Sequence, residues 1–291
     1  MIGVNCRSSR DRQAIGSGGD KIDTIASDED GMAKEDKSTK RGPTPDRIAE
    51  LAGKEPLLMI EGLVAGYGKM EILHGINLQV MAGQSLCLIG PNGAGKSTVL
   101  HSIYGFTNIM SGTITIKGTD ITRLSPNEKL KTAGIAYILQ ENSVFPDMTV
   151  EENLWMGGFL MDNPSQAKEA GEKVFGKYTP LAARRHQRAG VLSGGERRLL
   201  EIARALVMDP QVLLVDEPSV GLEPRYIEMV FEILSDLQHG KQTIILVEQN
   251  AKKGLEFADV GYVMVSGEIA KAGTGDALLQ DPEVGRLFLG G

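Results

Sequence analysis

Apolar residues along this chain fall into two rhythms. Leu57 to Val64 reads as a strand, and Ile76 to Val80 and Thr113 to Ile116 alternate as half-buried strands do. Shorter apolar runs at Ser85 to Ile89, Ile135 to Leu139, Val212 to Val215, Ile244 to Val247 and Val260 to Val265 fit strands buried on both faces. Between them lies helical patterning. Residues 149–178 lack strand signals, and Thr149 with Glu152 three positions on forms a capping box. Glu196 to Val207 reads as a buried helix, apolar nearly all round. Residues 224–238 carry a stripe of Ile227, Val230, Phe231, Leu234 and Leu237, with Pro224 suited to the first helical turn. Strands alternating with helices predict an α/β fold built on a mostly parallel sheet with both faces covered. No internal repeat is visible.

Residues 1–55 have a different texture. They contain no aromatic residue and no sustained period, but clusters such as Gly16-Ser17-Gly18-Gly19 and Ser27-Asp28-Glu29-Asp30. Such a segment buries too little apolar surface to offset its chain entropy, so it is expected to be a disordered extension. Met32 and Met59 leave a second reading, a start codon taken too early. Residues 56–291 are expected to form the folded domain.

Composition narrows the function classes. With 31 basic against 38 acidic residues and a net charge of −7, the chain carries no electrostatic footprint for nucleic acid. No apolar run approaches the roughly 18 residues needed to span a bilayer, and the N-terminus lacks the pattern of a secretory signal. Cys6 lies in a polar stretch and Cys87 in an apolar strand, which argues against a disulfide and for a reducing compartment.

The chemistry starts where the run Ser85 to Ile89 stops. Gly90-Pro91-Asn92-Gly93-Ala94-Gly95-Lys96-Ser97 has the spacing of a phosphate-binding loop, preceded by a strand and followed by a helix from Lys96 to Tyr104. The glycines let successive N–H groups turn inward on phosphate, and the helix start adds partial positive charge. Lys96 supplies a full charge to the β- and γ-phosphates. Ser97 offers a hydroxyl to Mg2+, a hard ion that takes oxygen ligands. Thr98 completes the loop set. Downstream, Asp216 and Glu217 follow the apolar run Val212 to Val215, at the strand edge where open α/β sheets bind ligands. Asp216 is placed to partner Mg2+, and Glu217 to orient or deprotonate an attacking water.

Leu192-Ser193-Gly194-Gly195-Glu196, twenty residues before Asp216, resembles the signature motif of ABC-transporter ATPases. The resemblance covers about residues 57–291. It implies a P-loop NTPase of the ABC type, with a mostly parallel sheet, an N-terminal antiparallel β subdomain and a helical subdomain at about 140–195. It also implies a head-to-tail dimer, in which Ser193, Gly194 and Gly195 of one subunit close on ATP held by the other. By the same resemblance Tyr67 would stack on adenine. Gln140 would reach Mg2+ or the water and link the site to a membrane subunit. The loop Ser219 to Pro224 would touch the opposite subunit, with Glu223 standing where many members have Asp. Gln249 fills a slot usually held by histidine. Its amide can bond a γ-phosphate oxygen but exchanges no proton near neutral pH, which leaves Glu217 as the main candidate base. None of His74, His101, His186 and His239 lies near that slot in sequence, and each reads as a structural or surface residue.

Thr149 to Leu154, Gly157-Gly158-Phe159, Arg188-Ala189-Gly190, Val247 to Ala251 and Thr274-Gly275-Asp276 together look like ATPases of branched-chain amino acid importers. The resemblance thus implies a Mg-dependent, transport-coupled ATPase at the cytoplasmic face of the inner membrane. Its partners would be a second ATPase subunit, two membrane permease subunits and, indirectly, a periplasmic solute-binding protein. The alternatives are a urea or short-amide importer ATPase, a soluble ABC ATPase outside transport, and a nucleotide-binding regulator without catalysis.

Overall fold

The computed structural model describes residues 56–140 and 143–288. The expected N-terminal extension and Cys6 lie outside these residues. Two sheets organise the chain. The first is antiparallel, formed by β1 (Leu58–Tyr67), β2 (Met70–Val80), β4 (Asn108–Ile116) and β5 (Thr119–Asp120) in the order β2-β1-β4-β5. The second is formed by β3 (Ser85–Ile89), β6 (Ile135–Ile138), β7 (Val212–Asp216), β8 (Thr243–Val247), β9 (Val260–Val265) and β10 (Glu268–Thr274), in the order β10-β9-β3-β8-β7-β6. All its pairings are parallel except β9 with β10.

The five short apolar runs are apolar because both of their faces are covered. On β3, Leu86 and Leu88 face a core shared with the antiparallel sheet, while Cys87 and Ile89 face the other side. On β8, Ile245 and Val247 join the first core and Ile244 and Leu246 the second. Helix α1 (Lys96–Tyr104) buries Val99, Leu100 and Ile103 in the first core. On the opposite face, α7 (Pro224–His239) contributes Val230, Leu234 and Leu237, three of the five stripe residues. Pro224 opens α7 as expected. The short α2 (Pro126–Lys131) packs beside β6.

A third core belongs to helices and the connections between them. It draws Val150 and Leu154 from α3 (Val150–Gly157), Val174 and Phe175 from α4 (Pro164–Lys177), and Leu181 from α5 (Thr179–Ala182). Leu199, Leu200 and Ala203 come from α6 (Gly194–Ala205). The stretch read as one helical run is two helices. The capping box at Thr149 starts α3. Chain direction changes through Gly158, and Asn163 caps α4 by accepting from Ser165 N at 2.9 Å, with Pro164 in its first turn.

Helix α6 differs from its reading in kind. It is buried over most of its circumference, but two of its buried residues are charged: Arg198 and Glu201, paired at 2.7 Å. The guanidinium also donates to Leu139 O at 2.8 Å and Asp216 O at 3.3 Å, so it ties α6 to the ends of β6 and β7. Glu201 accepts from Ser143 N at 2.6 Å. Strand β10, with α8 (Ala251–Phe257), α9 (Gly275–Leu279) and α10 (Pro282–Phe288), went unread because these elements are short and weakly periodic.

Removing one member of the Arg198–Glu201 pair strands a charge in a dry site. Arg198→Met or Glu201→Leu alone is therefore expected to cost about 3–5 kcal/mol in urea unfolding. The double replacement is expected to cost less than either single one.

Candidate functional site

The parallel strands β3, β6, β7 and β8 end at one edge, and the sequence-predicted residues gather there. The loop after β3 needs its glycines. Gly90 has φ 150°, and a Cβ there would stand 2.2 Å from Met264 O on the neighbouring β9. Gly95, at φ 96°, turns the chain into α1 with no side-chain cap. The first-turn N–H groups of α1, from Lys96 to Thr98, come before the first intrahelical bond, Val99 N to Gly95 O at 3.1 Å, and so have no acceptor within the helix. Pro91, Asn92 and Gly93 form the exposed outer rim, with Ala94 and Gly95 buried behind it. The buried Lys96 ammonium donates to Gly90 O at 3.0 Å and Pro91 O at 3.2 Å, inside the curl of the loop.

Across from the loop, Ser97 Oγ donates to Asp216 Oδ1 at 3.0 Å. The other oxygen of Asp216 accepts from the Tyr137 hydroxyl at 2.8 Å. Tyr137 was missed in the sequence, where it is only the third residue of an apolar strand. Parallel pairing sets Ile138 beside Val215, and the phenol spans the rest of the way to Asp216. Burial and the Asp216 charge push its hydroxyl pKa up, so it remains a donor.

Glu217 follows directly. Its backbone holds φ 43°, a left-handed conformation unusual for a side chain of this size, and Glu217 N bonds Val247 O at 2.9 Å. Its carboxylate is buried, and Oε2 accepts two amides: Gln140 Nε2 at 2.8 Å and Gln249 Nε2 at 2.7 Å. Burial first, and then the Asp216 charge, raise its pKa above the usual carboxylate value. The Gln249 hydrogen bond and the Lys96 charge pull the other way. Gln249 was expected to face phosphate; here its amide is engaged with Glu217.

Tyr67, at the end of β1, is exposed, and its hydroxyl hydrogen-bonds His101 Nδ1 on α1. The two rings meet edge to face at 6.0 Å. His101 thus keeps a structural role, but one at the rim of the site, and burial lowers its pKa. His74 and His186 sit beside Glu71 and Glu151 on the surface.

The signature segment stands apart from the loop. Ser193 caps α6, its Oγ accepting from Glu196 N at 3.3 Å while Glu196 Oε2 accepts from Ser193 N at 2.9 Å. A Cβ on Gly195 would fall 2.1 Å from the Tyr226 ring. Gly194 instead lines a cleft of about 520 Å³ with Gln140, Arg197 and the loop Pro218 to Leu222. Within one chain, then, hydrogen bonds link Ser97 to Asp216 and Gln140 and Gln249 to Glu217 near the Lys96 loop, while Gly194 meets this set only across the cleft it shares with Gln140.

A model of the ABC transporter family matches residues 73–220. The chain is 41% identical to the high-affinity branched-chain amino acid transport ATP-binding protein BraG of Pseudomonas aeruginosa, over 81% of this chain and 100% of that protein. It is 38% identical to a probable branched-chain amino acid transport ATP-binding protein, LivF, of Archaeoglobus fulgidus, over 78% of this chain and 96% of that one. A solved ATP-binding cassette of an ABC transporter in its ADP conformation superposes with a TM-score of 0.71 at 30% identity, over 82% of this chain and 100% of that one.

Gln249 donates to the charged form of Glu217, so Gln249→Leu is expected to raise the Glu217 pKa further. A carboxyl-carbon NMR titration would register the upward displacement, and an unmoved midpoint would detach the two residues.

Proposed function

The chain belongs to the ABC transporter family, and from that membership we infer that it is the ATP-hydrolysing subunit of an importer for branched-chain amino acids. Domains of this family bind ATP. The observation that carries the solute class is 41% identity along the whole of a relative named for branched-chain amino acid transport. Among the described residues no helix is long and apolar enough to cross a membrane, so the translocation path would be supplied by two separate permease subunits. The chain would sit against them at the cytoplasmic face of the inner membrane, with a periplasmic solute-binding protein delivering the amino acid.

The geometry supports the following roles. The phosphates of ATP would lie in the loop Gly90 to Thr98, against the first-turn N–H groups of α1 and the Lys96 ammonium, with adenine on the Tyr67 ring. Ser97 Oγ and Asp216 Oδ1, 3.0 Å apart, are oxygen donors of the kind Mg2+ takes, and Gln140 stands at the same strand edge. Bound there, the ion would neutralise charge on the β- and γ-phosphates. Tyr137 fixes Asp216 from behind. Both amide bonds to Glu217 fall on Oε2, which leaves Oε1 for the proton of an attacking water. Its raised pKa makes Glu217 a stronger base than an exposed carboxylate.

Ser193, Gly194 and Gly195 would serve a second ATPase subunit, identical or a paralogue, which returns its own signature segment to this chain's ATP. Two nucleotides would then close the pair, and loss of the γ-phosphate would release it, turning hydrolysis into rigid-body motion of the attached permeases.

Glu217→Gln is expected to retain ATP binding and to lower phosphate release by at least about 100-fold. Normal turnover of that variant would remove Glu217 from its role. The base works deprotonated, so kcat/KM, which reports the free enzyme, is expected to fall as pH drops through the Glu217 pKa, at a midpoint above the usual 4.5. Expressed in the source cell, the same variant is expected to block uptake of labelled leucine and leave labelled urea uptake unchanged. The opposite pattern would reassign the solute.

A further inference from the structure

Glu248, next to Gln249, has no part in the scheme above, yet it is almost fully buried, at 1% exposure. Its Oε1 accepts twice: from Ser219 Oγ at 2.8 Å and from Asn250 N at 3.0 Å. Its Oε2 is buried without a hydrogen-bond partner. Helix α8 crosses close above it: a Cβ on Gly254 would lie 3.1 Å from Glu248 Cβ and 2.7 Å from Cys87 Sγ. As a stabilising device this is poor, because half of a dry carboxylate goes unmatched. As a geometric device it is effective, because one charged acceptor holds donors from two different loops.

Those loops are the ones that carry the reaction. Ser219 lies two residues after Glu217, and Glu248 lies one residue before Gln249. The contacts between the segments alternate along their length. Asp216 pairs with Val247, Glu217 N bonds Val247 O, Gln249 Nε2 bonds Glu217 Oε2, and Ser219 Oγ bonds Glu248 Oε1. Asn250, held by its own N–H, accepts from Lys253 N at 3.1 Å and so anchors the turn to α8. The Ser219–Glu248 bond closes the far end of this zipper. Beyond it Val220 is exposed, while Val220 N bonds back to Glu217 O at 3.2 Å and Leu222 N to Ser219 O at 3.3 Å, so a push on residues 220–223 is passed to Ser219 and Glu217.

We propose that Glu248 is a positioning residue for hydrolysis: by holding Ser219 and the 249–250 turn on one oxygen, it makes the loop after Glu217 and the turn carrying Gln249 move together. Pressure on residues 220–223 is then transmitted to the amide that bonds Glu217. This rests on the ATPase reading above, and concerns the rate of the chemical step rather than nucleotide affinity.

Steady-state ATPase kinetics on the full chain test it. Ser219→Ala and Glu248→Leu are each expected to lower kcat about tenfold, with KM for ATP held within about twofold. Ser219→Thr keeps the hydroxyl and Glu248→Gln keeps a carbonyl acceptor, and each is expected to recover most of the rate. The double variant Ser219→Ala/Glu248→Leu is expected to be no slower than Glu248→Leu alone, since both remove one interaction. Wild-type turnover by Ser219→Ala, or multiplicative losses in the double variant, would overturn the proposal. If Glu248→Leu does not fold, the Ser219 pair decides alone. Absence of magnesium-dependent phosphate release from the wild-type chain would overturn the ATPase reading instead.

Discussion

One carboxylate oxygen, Oε2 of Glu217, is where the architecture converges. It is buried at the end of β7, it stands beside the charge of Asp216, and two carboxamides reach it from the ends of β6 and β8. That meeting is possible because β6, β7 and β8 run parallel and in register, so their C-terminal ends form one edge. The apolar faces of those strands therefore do more than fill two cores. A slip of one residue in any of them would swap the side chains it turns to the two cores and carry an amide or the carboxylate itself out of place.

The same edge is braced from outside by charge. Arg198 binds the carbonyls of Leu139 and Asp216, which immediately precede Gln140 and Glu217. The signature segment begins the helix that carries Arg198, so movement of that helix and placement of the two site residues are mechanically joined. Arg204 extends the brace, donating to Ser143 O and Ser143 Oγ at 2.6 Å each. A buried ion pair of this kind contributes little to stability beyond an apolar equivalent. Its contribution here is to define where one helix stands relative to two strand ends.

Much of this was legible in the amino-acid sequence, for identifiable reasons. The phosphate loop announces itself because its glycines answer to backbone geometry, and the strand before it is apolar because both its faces are covered. Asp216 and Glu217 take their meaning from that loop, since a carboxylate pair after an apolar strand is by itself often only a solvated strand end. The break at Gly158 was missed because a lack of strand signals over 149–178 identifies helix without locating its ends. The character of α6 was misread because period alone does not reveal that Arg198 and Glu201 satisfy each other indoors. Tyr137 and Glu248 stayed hidden for another reason: each acts through a partner distant in the chain, and no local pattern encodes such a pairing.

Lys96 offers a last consequence. Its ammonium already rests on the carbonyls of Gly90 and Pro91. A triphosphate arriving there would meet a donor in use, so its recognition would be an exchange of neutral acceptors for anionic ones. The heat released on docking should reflect the difference between those acceptors, not the whole of a new contact. A cradle that is its own placeholder would also keep its curvature once a product left, and would meet the next nucleotide without having to refold.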